Sequence, residues 1–188
     1  LKSSNTGAQI GGGAGMAAFG PIGAIAGSII GGIVGGIMKK TKWGRVDVSG
    51  VSGDFNTRGN SGKSEAAATE AGGSIVDALK KIANDLGGVA GEFASIAVGV
   101  RDGKWRVNTT GTSLKTSKGA KDFGEDQSAA IAYAVQQAIK KGAIDGINAS
   151  VMNLLTASGD FETQLNKASE LSSIFAEIAA SADPMGAE

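Results

Sequence analysis

The clearest structural signal is the stretch IAVGVRDGKWRVN at residues 96–108, in which two alternating apolar runs flank Asp102-Gly103. Asp-Gly between alternating runs is the strongest short-range signal for a two-residue hairpin turn. With that turn, the large apolar side chains share one face. The residues on this face are Val98, Val100, Trp105 and Val107, with Val100 opposite Trp105 and Val98 opposite Val107. An isolated hairpin is marginal in water, so the sequence predicts a β-hairpin covered by a helix.

An amphipathic helix is predicted upstream of the hairpin. Apolar residues recur there at helical spacing, in the order Ile75, Leu79, Ile82, Leu86. Ser61 or Ser64 is expected to cap the start of the helix. Gly87 suits the left-handed position that follows a helix. Gly72-Gly73 are expected to break or bend the helix, because glycine is a poor helix former.

A second amphipathic helix is predicted downstream. Glu125 and Asp126 open it, and Lys140 and Lys141 close it before Gly142, which matches the helix dipole at both ends. We expect either this helix or the upstream one to cover the hairpin face.

Weaker signals fill the rest of the chain. Residues 45–55 indicate a short strand and turn, and residues 56–62 and 109–124 read as polar loops. A short helix is predicted around residues 151–155, and a final one over residues 160–180.

The beginning of the chain has a different character. Residues 3–38 contain no charged side chain, and small residues recur at every fourth position in two neighbouring rows. The positions are Gly20, Gly23, Ala24, Gly27, Ser28, Gly31, Gly32, Gly35 and Gly36. On a helix both rows share one face, which lets another helix pack backbone to backbone, as in membranes. We interpret the segment as a glycine zipper that forms its helix in lipid or inside a tight assembly.

The length of this segment favours a membrane-active role. Pro21 is suited to starting a helix, and residues 22–38 span roughly 26 Å at 1.5 Å per residue, near the lower limit for a bilayer core. The basic run KKTKW at 39–43 is typical of a span that ends at an interface. Residues 6–19 form a weaker second span, so a hairpin that turns at Gly20-Pro21 is an alternative. A signal peptide fits badly, whereas a buried helix in a protein assembly stays open.

The sequence therefore predicts an α+β fold, mostly helical, with one β-hairpin. We divide it into a glycine-zipper segment at 1–42, a strand, helix and hairpin region at 43–124, and a helical region at 125–188. The chain begins with Leu1, so we expect it to be a processed product or, in preference, a piece of a longer protein.

Composition excludes several functions. Eighteen Lys and Arg balance eighteen Asp and Glu, so there is no overall charge excess of the kind that attracts nucleic acid. Cysteine and histidine are both absent. This excludes disulfides, zinc sites with Cys or His ligands, and Ser–His–Asp or Cys–His catalysis.

The remaining candidates for chemistry are weak. Residues 59–64, GNSGKS, resemble the end of a phosphate-binding P-loop, but Thr57 stands where the motif needs glycine. A dyad of Lys63 with a neighbouring serine is equally unsupported. The acidic residues Glu162, Glu170 and Glu177 are spaced as a solvated helix face. We predict no enzymatic activity, no catalytic residues, no metal and no cofactor.

Two blocks of sequence, taken together, resemble a known family. They are IGGGAGMAAFGPIGAIAGSIIGGIVGGIM, residues 10–38, and IAVGVRDGKWRVNTTG at 96–111 with AKDFGEDQSAAIAYAVQQAIKKGAI at 120–144. The second block resembles the C-terminal region of tail tape measure proteins from long-tailed bacteriophages. Its Arg-Asp-Gly-Lys turn, Asp122-Phe123-Gly124 and following helix carry the likeness, which covers roughly residues 10–180.

The resemblance implies a structural protein of the virion. Tape measure proteins are long helical rods in the tail tube, usually in three copies, and their length sets the tail length. They leave before the DNA and help to make a channel across the host envelope. The implied partners are sibling copies in a homotrimer, the distal tail or baseplate hub proteins, the host membrane, and genomic DNA only as passing cargo. The implied locations are the tail tip and tube lumen, then the host envelope.

Two other classes compete with this interpretation. A secreted pore-forming toxin or bacteriocin-like membrane protein would share the glycine zipper. An envelope hydrolase is disfavoured because histidine and cysteine are absent. Some tape measure proteins carry peptidoglycan-cleaving domains, but no position here matches such a site.

Overall fold

A computed structural model describes residues 41–182. Seven strands, β1 to β7 in chain order, cover Trp43–Val48, Asn56–Gly59, Val89–Ala90, Ile96–Arg101, Lys104–Asn108, Lys121–Asp122 and Ile144–Asp145. Four helices, α1 to α4, cover Gly62–Asp85, Gln127–Lys140, Ala149–Thr156 and Phe161–Ala182. A 3₁₀ turn covers Thr116–Lys118.

The central element is an antiparallel sheet of five strands in the order β2-β1-β4-β5-β6. Its middle hairpin, β4–β5, has the predicted register, with Val100 opposite Trp105 and Val98 opposite Val107. Asp102 and Gly103 both have positive φ, at 54° and 73°, as a type I′ turn requires. The hairpin prediction is therefore confirmed at the level of individual pairs.

One face of this sheet is buried under two helices. Val46 of β1 continues the row of Val98 and Val107, and all three side chains are at most 1% exposed. Helix α1 contacts β1 and β4, and helix α2 contacts β4 and β5. The sequence predicted one covering helix or the other, and both are used.

Two glycines set the distance between α1 and the sheet. A Cβ on Gly44 would lie 2.2 Å from the backbone nitrogen of Glu65, so the first turn of α1 lies directly on β1. Gly72 fits in the same way against Val46 and Phe55. The expected break at Gly72-Gly73 is wrong, because α1 runs through both residues and the close contact with the sheet holds the helix there.

The ends of α1 and α2 follow the predicted chemistry. The Ser61 hydroxyl accepts a hydrogen bond from the Ser64 backbone N–H at the start of α1. Gly87 and Gly142 follow the two helices with positive φ. In each case the next residue donates back into the last turn, from Gly88 to the Ala83 carbonyl and from Ala143 to the Ala138 carbonyl, as in a Schellman motif.

The last two helices extend the same core. Helices α3 and α4 contact each other and α2, and their buried residues are Val151, Leu155, Phe161, Leu165 and Ala168. A small sheet, β3–β7, joins the segments that follow α1 and α2. One hydrophobic cluster thus draws residues from both predicted ranges, 43–124 and 125–188. Towards the end of α4, Ile174 and Ile178 are more than half exposed.

The predicted fold class is right in outline and needs two corrections. Residues 41–182 are α+β, but they are about half helical rather than mostly helical. The hairpin is also the middle of a larger sheet, because β2 and β6 form inside the predicted loops at 56–62 and 109–124. The predicted glycine zipper lies outside the described residues. Within residues 41–182, no helix combines the length and apolarity needed to cross a membrane.

Candidate functional site

The structure places the predicted hairpin residues in the core. Trp105 is 5% exposed, and Val98, Val100 and Val107 are at most 1% exposed. Their side chains pack beneath α1 and α2 and present no surface to a partner. The other predicted positions, Gly20 to Gly36, lie outside the described residues.

The opposite face of the sheet is polar and carries cations. On this face, one residue from each of the five strands lies beside its cross-strand partner and forms a row across the sheet. The row runs in the order Arg58, Arg45, Gly99, Arg106, Asp122. A Cβ on Gly99 would lie 2.0 Å from the Gly44 carbonyl oxygen, so no side chain fits at the centre of the row. The row therefore places arginines on both sides of a gap.

Two ion pairs lie on this face. Arg45 Nε is 3.2 Å from Asp47, its neighbour on β1, and Arg106 Nε is 3.0 Å from Asp122 on β6. The Gly124 backbone N–H donates to Asp122 at 2.7 Å and, together with Arg106, holds the pKa of that carboxyl below its ordinary value. The second pair fixes the short edge strand β6 to the rest of the sheet.

A loop at residues 109–120 rises beside this face, and buried Asn108 holds it in place. Asn108 Nδ2 donates to the carbonyl oxygens of Ser113 and Lys118, at 2.8 and 3.0 Å. Its Oδ1 accepts from the backbone N–H groups of Thr110 and Gly111, at 3.0 and 2.9 Å. One fully buried amide thus satisfies four backbone groups of the loop.

A groove of about 510 Å³ lies between this loop and the sheet. It is lined by Thr41, Trp43, Arg45, Asn60, Arg101, Thr112, Ser113, Leu114 and Lys115. Arg106 Nη1 donates to the Leu114 carbonyl at 3.0 Å, which holds the loop against the sheet. At the far end, Asn60 Nδ2 donates to the Thr41 carbonyl and its Oδ1 accepts from the Trp43 backbone N–H, both at 2.9 Å. The walls of the groove are therefore fixed by specific hydrogen bonds.

The lining of the groove is cationic. Arg45, Arg101 and Lys115 come from β1, β4 and the loop, and none of the described residues that line the groove is acidic. The Arg45 guanidinium carbon also lies 5.8 Å from the centre of the Trp43 ring, within cation–π range. This arrangement can bind anions, because guanidinium groups suit carboxylate and phosphate.

The other sequence candidates lie elsewhere and in ordinary structural roles. The run 59–64 forms the end of β2 and the capped start of α1, with Lys63 exposed. Glu162, Glu170 and Glu177 lie exposed along α4. Within residues 41–182, no cluster of three or more acidic side chains could hold a metal ion.

Comparison of the chain with protein-family models, curated proteins and solved structures finds no match. Function is therefore inferred from the residues and their geometry.

The groove was not predicted from the sequence. Its cations are separated by up to 70 positions, from Arg45 to Lys115, and form no motif. One signal was available: the alternation that places the valines of β1 and β4 on the core face places Arg45 and Arg101 on the opposite face. Nothing in the sequence distinguished Asn108 from the polar loop that follows it.

Proposed function

We propose that the chain is the C-terminal part of a bacteriophage tail tape measure protein. Its α+β body, residues 41–182, would be anchored at the distal tail or baseplate hub. The whole protein would set tail length and, on infection, help to form a channel in the host membrane for DNA delivery. The single observation that carries this proposal is the sequence resemblance of the uncharged glycine-periodic segment and the hairpin–helix block.

The fold is compatible with an anchor. One continuous hydrophobic cluster draws on residues from Val46 to Ala168, and β1 begins at Trp43, the last residue of the basic run at 39–43. A body built in this way can stay folded while the preceding segment changes its surroundings.

The proposed mechanism is mechanical. The glycine zipper is held among sibling copies, which would form a homotrimer, and is then released into the host membrane. Burial of its isoleucines in lipid favours insertion by about 25 cal/mol per Å² of apolar surface. Close glycine contacts then hold the spans together. The body serves as a packing and attachment unit without catalytic activity, so the full chain should not cleave purified peptidoglycan.

The experiment for location is antibody labelling of intact virions from the phage that encodes the chain. An antibody raised against the 188-residue chain should label the distal end of the tail in electron micrographs. Label on the capsid, along the tail exterior, or on no part of an opened particle would contradict the proposal.

The membrane step has its own test. A peptide covering residues 20–42 should insert into liposomes as a helix and associate there, and Gly27→Ile with Gly31→Ile should weaken the association. A peptide with Ile29→Leu and Ile33→Leu keeps both glycines and serves as control. Unchanged association of the glycine variant would contradict the zipper interpretation.

A secreted pore-forming toxin is the second candidate, favoured by the uncharged glycine-periodic segment alone. The purified chain would then release dye from liposomes on its own and would be found outside virions. The virion labelling experiment separates the two functions.

A further inference from the structure

The groove on the polar face of the sheet holds more positive charge than its surroundings neutralise. Three cationic side chains, Arg45, Arg101 and Lys115, converge on it, although the chain as a whole has no net charge. Within the described part of the chain, Arg101 and Lys115 form no ion pair, and Arg45 meets Asp47 only through Nε. In this part of the chain, the charged groups of Arg101 and Lys115 are therefore available to pair with the anionic groups of a ligand.

The groove is also preorganised. Asn108 and Arg106 fix the loop wall, and Asn60 fixes the opposite end, so little conformational entropy is lost on binding. Hydroxyl and aromatic groups accompany the cations, from Thr112, Ser113 and Trp43. A volume of about 510 Å³ falls inside the roughly 300–1,000 Å³ typical of ligand sites.

We propose that this groove binds an acidic segment of a protein partner, whose carboxylates are received by Arg45, Arg101 and Lys115. Charge complementarity selects this occupant. Residues 3–38 of the chain have no carboxylate to offer. The proposal rests on the geometry of the groove and does not depend on the proposed function.

The same face argues against a nucleic acid as the occupant. A phosphate backbone extended across the sheet would pass the carboxylates of Asp47 on β1 and Asp122 on β6. A nucleic-acid surface needs a continuous run of cations. A short peptide can place its carboxylates at separate points.

The direct test is a titration of the full ¹⁵N-labelled chain with hexaglutamate, followed by NMR. The two tryptophans report on different places, because Trp43 lines the groove and Trp105 is 5% exposed in the core. We expect a saturable shift of the Trp43 indole N–H and none of the Trp105 indole N–H. Equal shifts of both signals, or no saturable shift of Trp43, would overturn the proposal.

Matched variants test the role of the cations. Arg101 and Lys104 are opposite each other in the hairpin register, but only Arg101 lines the groove. Arg101→Gln should weaken hexaglutamate binding about tenfold or more, since a hydrogen bond to a charged group is lost. Lys104→Gln removes the same charge and should change binding less than about twofold. Equal losses in the two variants would show non-specific attraction and refute the site.

A further variant and a competitor complete the test. Lys115 is on an exposed part of the loop, so Lys115→Gln should weaken binding without disturbing the fold, which far-ultraviolet circular dichroism checks. Unchanged binding in this variant and in Arg101→Gln would refute the site.

A six-nucleotide single strand should compete less well than hexaglutamate. If the oligonucleotide bound more strongly than hexaglutamate and lost the same affinity in Arg101→Gln, the acidic-peptide proposal would be wrong and the occupant of the groove would be a phosphate polymer.

Discussion

Replacing Trp105 by alanine should cost more folding free energy than any exposed substitution on the same hairpin. Trp105 is 5% exposed and lies opposite Val100 on the face covered by α1 and α2. A buried tryptophan removes up to about 250 Å² from water. At about 25 cal/mol per Å² this corresponds to about 6 kcal/mol as an upper bound. Alanine keeps part of that burial, so we expect a loss of about 3–5 kcal/mol for Trp105→Ala.

The assay is urea unfolding of the full chain, followed by circular dichroism at 222 nm. With a slope of about 2 kcal/mol per M, the midpoint should fall by about 1.5–2.5 M in Trp105→Ala. Total stability is only about 5–15 kcal/mol, so a loss of this size is a large part of it. Trp105→Phe therefore serves as a milder variant, and its urea midpoint should lie between those of the wild type and Trp105→Ala. Lys104→Ala, the exposed neighbour on β5, should shift the midpoint by less than about 0.3 M.

A decrease of less than about 0.5 M in the urea midpoint of Trp105→Ala would contradict this prediction. It would mean that the hairpin face contributes little to the core, and that stability depends on contacts among α1, α2, α3 and α4.

Three further predictions follow from single contacts. Gly44→Ala should cost about 1–3 kcal/mol in urea unfolding, because the new Cβ would lie 2.2 Å from the Glu65 backbone nitrogen. Gly50→Ala is the control and should be nearly neutral, because the nearest atom to its Cβ would lie at 3.6 Å. Asn108→Asp should cost at least about 2 kcal/mol and speed trypsin cleavage in the loop at 109–120, since two carbonyls lose their donor; an unchanged digestion rate would contradict this role. The lowered pKa of Asp122 means that its contribution is present above the unfolded pKa of about 3.9 and is lost as pH falls through the lower folded value. Asp122→Asn should therefore lower stability at pH 7 by about 0.2–1 kcal/mol and flatten the loss of stability below pH 4, and an acid profile identical to the wild type would count against the Arg106 pair.

Local patterns in the sequence predicted much of the fold. Asp102-Gly103 fixed the hairpin register because a type I′ turn leaves one way to pair the flanking residues. Gly87 and Gly142 marked the helix ends because both positions need positive φ. These features depend on residues close together in the chain.

The features that the sequence did not predict depend on tertiary contacts. Strand β2 is polar and four residues long, and Asn60 positions it by bonding to Thr41 and Trp43, so no alternation revealed it. Gly72 resembled a helix breaker, but its contact with Val46 in the packed sheet outweighs a propensity cost of about 1 kcal/mol. The groove requires the β1–β4 pairing and the loop held by Asn108, neither of which leaves a local pattern.

The position of β1 in the sheet has a consequence for synthesis. Among the described strands, β1 is the first to leave the ribosome. Its pairing with β2 is local, but even the nearest β1–β4 pair, Val48 with Ile96, closes a loop of about 50 residues. Loop closure must precede the gain from such pairing, so we expect the β4–β5 hairpin to form before β1 pairs with β4. Until Arg101 has emerged, the uncharged residues 3–38 precede a body that is not yet folded. Until β1 is paired, the nascent chain is exposed to aggregation, so co-expression of a chaperone should raise its yield.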